Sequence, residues 1–238
     1  MFMCVNTTLH LTGRPDSTHV WNLVTNWRLA GFANATSVFQ HFLEEGFAFS
    51  GGQGKVFHPD RGPGGNIDDV GYSWNQPYFH ASGESNKEFA NFSNAWWSIP
   101  AGLASDNDLP DGLIATNAVQ MLKNATSQDG PWIVAAGFHR PHLPEVCRAP
   151  YTDLYPLQDT KLAEWPYRPH NWGDAINYAW DAESGPRHMG DFIAMNISFP
   201  FGYVPTEYGK ELRRAYHACV SFADRNVGVV LDALKSSG

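Results

Sequence analysis

Twice along this chain a helical pattern runs into a short apolar segment, then a glycine, then a cluster of cations and imidazoles. The first instance reads "TSVFQHFLEEG", "FAFS" and "GGQGKVFHPD", from Thr36 to Asp60. The second reads "LIATNAVQMLKNAT", "WIVAAG" and "FHRPHLP", from Leu113 to Pro144. In the first helical segment Phe39, Phe42 and Leu43 share one face, Thr36 is placed to cap the start and Gly46 to end it. In the second, Ile114, Ala118 and Leu122 recur at i, i+4 and i+8. "FAFS" has the length of a short strand. "WIVAAG", between Pro131 and the next loop, is an apolar run of buried-strand length. Alternation of helix, strand and loop predicts an α/β protein. Ligands of open α/β sheets gather at the carboxyl ends of the strands, where Lys55, His58, His139 and His142 fall.

Elsewhere the pattern loosens. Gly, Ser, Asn and aromatics follow one another without a period, so long irregular loops are expected at about 61–110 and 144–205. From Thr206 the chain turns helical again, with Leu212, Ala215, Tyr216, Cys219 and Ala223 on one stripe and Gly228 placed to interrupt it. At 238 residues and 43% hydrophobic, the chain has the means to bury a sizeable core.

A formal charge of −8 without a basic stripe argues against nucleic acid as a partner, and ten histidines would offset much of that charge in an acidic compartment. No segment is apolar over the length of a membrane span, and the N-terminus has neither the basic region nor the apolar run of a signal peptide. Asn6, Asn34, Asn91, Asn124 and Asn196 nevertheless begin N-x-S/T sequons, which favours a secretory origin and the expectation of a missing front end. Cys4, Cys147 and Cys219 form neither a disulfide framework nor a zinc pattern and allow one internal bridge at most.

Several chemistries compete for the polar clusters. "GGQGKV" fails as a phosphate loop, because Phe49 stands where the first glycine belongs and Val56 replaces the magnesium-binding hydroxyl. His139 and His142 can ligate a metal, but the proline between them prevents a helical pair and no nearby carboxylate or thiolate completes a site. Two loop histidines held by hydrogen bonds are the simpler reading. Asp68 and Asp69 can bind calcium or, the preferred reading, form a solvated turn. The tryptophans serve equally for sugar stacking or for packing. Lys55 closes an apolar run, where an unpaired ammonium is costly. An anion site for a tetrahedral dianion and a structural salt bridge both answer that cost.

Seven segments, "GKVFHPD", "DDVGYSW", "LPDGLIATNAVQMLK", "AAGFHRPHLP", "LYPLQDTKLA", "MNISFPFGYVP" and "YHACVSFADRNVGVVLDAL", occur in the order in which they resemble the type I sulfatases, within them the iduronate-2-sulfatase branch. The resemblance runs from about Leu11 to the end of the chain. It implies an alkaline-phosphatase-like α/β fold, a mostly parallel central sheet flanked by helices, incomplete at both ends, with residues 1–238 as part of one catalytic domain. It implies hydrolysis of sulfate esters on sulfated carbohydrates, with Lys55, His58 and His139 as catalytic residues and Lys55, His139 and His142 contacting substrate. It also implies calcium and a formylglycine made from cysteine by a formylglycine-generating enzyme, in a lysosomal or secreted protein. Cys4 precedes Thr12, Gly13 and Arg14 as the family's nucleophile precedes its Thr-Gly-Arg, but it lacks the proline and arginine of Cys-x-Pro-x-Arg. Formylglycine is therefore not expected at Cys4, no metal ligands are assigned in this chain, and the chain by itself is expected to be inactive. A phosphatase or phosphodiesterase of the same superfamily, and a non-catalytic binder of sulfated glycans, stand as alternatives.

Overall fold

A computed structural model of the chain describes residue 28 and residues 34–57, 68–81, 93–164, 186–197 and 202–237. The chain divides into two compact units. One gathers Met1–Ser82, Asp111–His139 and Asn226–Gly238; the other gathers Gly83–Pro110 and Arg140–Arg225.

In the first unit, helix α1 (Val38–Glu44) is capped by Ser37, one residue after the position the sequence suggests. The Gln40 N–H donates to the Ser37 hydroxyl at 3.1 Å. Strand β1 then spans Phe49–Gly54 and is buried along its whole length. The glycine run is thus strand, and "FAFS" supplies only its first two residues. Volume explains the difference. A Cβ on Gly51 would lie 2.5 Å from the Met121 sulfur, and one on Gly52 would lie 2.6 Å from the Trp74 ring. Neighbouring large side chains fill the space that side chains of β1 would need.

Strand β3 (Trp132–Gly137) pairs with β1 in parallel, from Phe49↔Trp132 to Gly54↔Gly137. Parallel pairing requires a crossover, and helix α2 (Pro110–Thr126) lies within it. Ile114, Ala118 and Leu122, the predicted apolar face, are all buried. Successive residues of β3 feed two clusters, as a period of two dictates. Ile133 and Ala135 pack with Phe39, Phe57 and Trp74, while Trp132 and Val134 pack with Phe49, Met121 and Ala125. β3 itself is only half-buried, less than its apolar sequence predicts. The fully covered strand of the pair is the glycine-rich one.

The second unit holds another parallel pair, β2 (Trp96–Ile99) and β4 (Glu145–Arg148), in register from Trp96↔Glu145 to Ile99↔Arg148. Both strands lie within the segments expected to be irregular. Four residues are too few to show a period, and what stabilises them is a shared core. Ile99, Leu109, Val146 and Cys147 pack against Ala218, Cys219 and Phe222 of a long helix. Two short helices, α3 (Ala149–Thr152) and α4 (Gly190–Ala194), precede that helix, α5, which runs from Thr206 to Ser236. Gly228 does not interrupt it. A mid-helix glycine costs only about 1 kcal/mol against alanine. The buried stripe is Ala215, Ala218, Cys219 and Phe222, whereas Tyr216, expected on it, is 46% exposed.

Cys147 and Cys219 are buried free thiols in this core. The hydrogen bond to Cys147, and then burial, hold the Cys219 thiol well above its ordinary range, so it is an inert packing group. No helix among the described residues is long and apolar enough to cross a membrane.

The packing of β1 gives a direct test. Gly52→Ala should destabilise the protein by about 1–3 kcal/mol through a clash with the Trp74 ring. Urea unfolding of wild type and variant reads this difference, and a change below about 0.5 kcal/mol would mean that Trp74 yields freely.

Candidate active site

The carboxyl ends of β1 and β3 lie side by side and are held by backbone contact. The Lys55 N–H donates to the Gly137 carbonyl at 2.7 Å. A Cβ on Gly137 would sit 2.1 Å from the Lys55 carbonyl carbon, so no other residue fits there without moving the chain. Gly54 turns β1 out of the sheet at φ +68, a left-handed conformation that suits glycine. The Gly54 N–H donates to the Phe79 carbonyl at 2.8 Å. Lys55 therefore emerges, half-buried, from a strand end whose position is fixed on both sides.

His139 follows the end of β3 and is buried. Its N–H donates to Asp111 Oδ1 at 2.7 Å. Asp111 is itself 1% exposed and lies in the first turn of α2, where the helix dipole favours a carboxylate. Sequence reasoning did not single out Asp111. The signal available was an acidic residue opening an otherwise apolar helix at "LPDGLIA". Lys55 and His139 are thus brought to adjacent strand ends. His58 lies outside the described residues, as does Cys4. His142 belongs to the second unit and is exposed, with Nδ1 against the Leu143 carbonyl oxygen at 2.6 Å and Arg140 Nη1 donating to its own carbonyl at 2.7 Å.

The solvated turn expected at Asp68 and Asp69 is overturned. Asp68 is fully buried and Asp69 nearly so. Burying two adjacent carboxylates is tolerable only when each is paired. Asp69 accepts from the Arg28 guanidinium through both oxygens and from the Ser73 hydroxyl. Asp68 pairs with His80 Nε2, and its carbonyl accepts from Trp74 Nε1 at 2.6 Å. Partners at 28, 73 and 80 are distant or polar enough to be invisible as pairs in sequence. Next to this network Tyr78 donates its hydroxyl hydrogen to the Gly54 carbonyl at 2.9 Å. Burial, and then the charge of Asp68, push the Tyr78 hydroxyl far up, so it remains a donor at any physiological pH.

Among the described residues no three His, Cys, Asp or Glu side chains gather as metal ligands do, so these residues do not fit a calcium site.

The second unit carries a cleft of about 310 Å³ lined by Asn94, Trp96, Trp97, Ser98, Asp191, Tyr208 and Glu211. Asp191 is committed within it, accepting from the Ala95 N–H at 2.8 Å and from the Tyr208 hydroxyl. Burial and that bond raise the Tyr208 hydroxyl far above its ordinary range. Nearby, Glu145 opens β4 with its N–H donating to the Ala95 carbonyl at 2.7 Å. Burial lifts the Glu145 carboxyl to about 7, against the opposing pull of Arg140.

No family model matches the chain. Iduronate 2-sulfatase of Mus musculus is 32% identical over 233 residues, covering 94% of this chain and 41% of that protein. A sulfatase of Formosa agariphila is 27% identical over 245 residues, covering 95% of this chain and 45% of that protein. The chain therefore spans less than half the length of these relatives. Among solved structures, a phosphonate monoester hydrolase from Silicibacter pomeroyi superposes over 99% of this chain and 50% of its own, with a TM-score of 0.60 at 16% identity. That likeness shows the fold alone.

The Glu145 carboxyl predicts a pH dependence. Its folded pKa, about 7, lies above the ordinary 4.5, so the native state binds the extra proton between those values. The linked stability is present below about pH 4.5 and is lost as the pH rises through 7. Glu145→Gln should therefore be more stable than wild type at pH 8, by at most about 3 kcal/mol, with the gap closing at pH 5. Urea midpoints at the two pH values measure it; an equal gap at both would show that Glu145 does not titrate there.

Proposed function

Because the chain belongs to the sulfatase family and carries its alkaline-phosphatase-like α/β fold, we propose that it forms the part of a sulfuric ester hydrolase that grips the sulfate group of a sulfated sugar. The observation that supports this is the convergence of Lys55 and His139 on the ends of two adjacent parallel strands, each backbone fixed by a hydrogen bond of 2.7 Å. Fixed cationic and imidazole donors at one point suit a tetrahedral dianion, whose charge they balance without reorganising during reaction. Lys55 neutralises sulfate oxygens, and His139 meets the bridging ester oxygen and hands a proton to the departing alcohol. The family resemblance assigns a catalytic role to His58 as well, and a substrate contact to His142.

The substrate class that goes with this reading is a glycosaminoglycan-like polysaccharide, and the compartment is lysosomal or extracellular. Exposure of the sequon residues Asn34, Asn124 and Asn196 supports passage through the secretory route. The nucleophile of the family is a formylglycine, produced by a formylglycine-generating enzyme. Cys147 and Cys219 are core thiols, and Cys4 lacks the motif that marks a cysteine for conversion. The 238-residue chain is accordingly read as a sulfate-binding body without turnover of its own.

Calorimetry with inorganic sulfate tests the site. Lys55→Ala should abolish binding, and Lys55→Arg should weaken it less, keeping the charge while changing donor geometry. Identical isotherms for wild type and Lys55→Ala would retire the sulfate reading. Tighter binding of phosphate than of sulfate would favour a phosphoester hydrolase of the same superfamily. Turnover of an aryl sulfate by this chain after Cys4→Ala and chelation would overturn its proposed silence.

A further inference from the structure

We infer that Tyr78 is the positioning residue for Lys55, its hydroxyl clamping the chain on both sides of the lysine and so fixing where the ammonium can reach. The inference rests on the reading of Lys55 as the sulfate-binding cation. A lysine carries its charge on a flexible four-carbon stem, so aiming it depends on how firmly its own backbone is held. Lys55 leaves the sheet immediately after a left-handed glycine, a point where the chain has unusual freedom. One side of that turn is secured by sheet hydrogen bonds, from Lys55 N–H to the Gly137 carbonyl and from Gly54 N–H to the Phe79 carbonyl. The carbonyl of Gly54 and the amide of Val56, which flank the lysine, both meet one atom. Tyr78 Oη donates to the Gly54 carbonyl at 2.9 Å and accepts from the Val56 N–H at 3.4 Å.

The clamp is itself braced. The Tyr78 ring lies 5.7 Å from the Trp74 ring and 4.9 Å from the His80 ring, centroid to centroid. His80 is anchored to the buried Asp68, and Trp74 donates to the Asp68 carbonyl at 2.6 Å. Asp68 thus holds both rings that contact the tyrosine. A purely packing role would need only the ring, and phenylalanine would serve. What tyrosine adds is an atom able to donate and accept at once, placed where the lysine's two neighbours converge.

Tyr78→Phe keeps the ring and removes only the clamp, and His80→Ala removes the outer brace. Inorganic sulfate affinity by calorimetry and the thermal midpoint are measured for wild type, both variants and Gly51→Ala. The ¹³C signal of reductively methylated Lys55, assigned through Lys55→Arg, is followed in the same proteins. Tyr78→Phe should weaken sulfate binding roughly tenfold to a hundredfold, since an error near 1 Å at a positioned group is worth that much, and it should move the Lys55 signal. His80→Ala should do both to a smaller extent. Gly51→Ala, whose Cβ would meet the Met121 sulfur at 2.5 Å on the face away from Trp74, should lower the thermal midpoint while its folded form keeps wild-type affinity and an unmoved Lys55 signal. Wild-type affinity in Tyr78→Phe, or in His80→Ala should the first variant not fold, would overturn the clamp. Sulfate binding that survives Lys55→Ala would overturn the sulfate reading beneath it, a failure visible without either clamp variant.

Discussion

The structure of the first unit depends on one close approach, that of strand β1 to its surroundings. Phe49–Gly54 is paired with β3, covered on its two faces by Met121 and Trp74, and crossed at its end by the backbone of Gly137. None of these contacts has room for a Cβ on Gly51, Gly52 or Gly54. Glycine is a poor strand former on its own because it loses much entropy and brings no side chain to pack. Here that loss is offset by neighbours that pack directly on the backbone. Because the strands meet this closely, their ends are level, and Lys55 and His139 leave the sheet beside one another.

Buried charge then refines what the strands place. Asp111 holds the backbone of His139, while Asp69 ties Arg28 to Ser73 and Asp68 anchors His80 beside Tyr78. Each carboxylate is far more buried than an unpaired one could be, and each is engaged by a donor, although Oδ1 of Asp68 has no partner among the described residues. Removing any single partner would leave a stranded charge, so such clusters resist piecemeal change. Their positions around β1 and α2 put rigid polar groups under the loops that carry the chemistry, an arrangement that preorganises a site at some cost in folding energy.

The second unit is built differently. Its two strands are four residues each, and α5 supplies the apolar surface that stabilises them through Ala215, Ala218, Cys219 and Phe222. Asp106 ties the same region together, accepting from Arg148 at 2.9 Å and from the Tyr151 hydroxyl at 2.7 Å. Burial and that bond push the Tyr151 hydroxyl up to about 12. Glu145 stands apart as a buried carboxyl with Oε2 unpartnered among the described residues, which is why it titrates near neutrality rather than in acid.

The sequence by itself determined the alternation of helix and strand, because apolar periodicity is local: the Ile114, Ala118 and Leu122 face of α2 and the extent of Trp132–Gly137 are as read. It also placed clusters of cations and imidazoles just after those apolar runs, and hence made Lys55 and His139 candidates. Where it fell short, the missing information was not local. That "SGGQG" is strand depends on Met121 and Trp74, residues tens of positions away. That Asp68 and Asp69 are buried rather than solvated depends on Arg28 and His80, and that Tyr216 faces outward while Phe222 is buried depends on which side of α5 meets β2 and β4. Propensity and pattern report what a segment can become alone. Burial, pairing and the proximity of two strand ends are decided only when distant segments exclude water together, and that is a property of the tertiary structure.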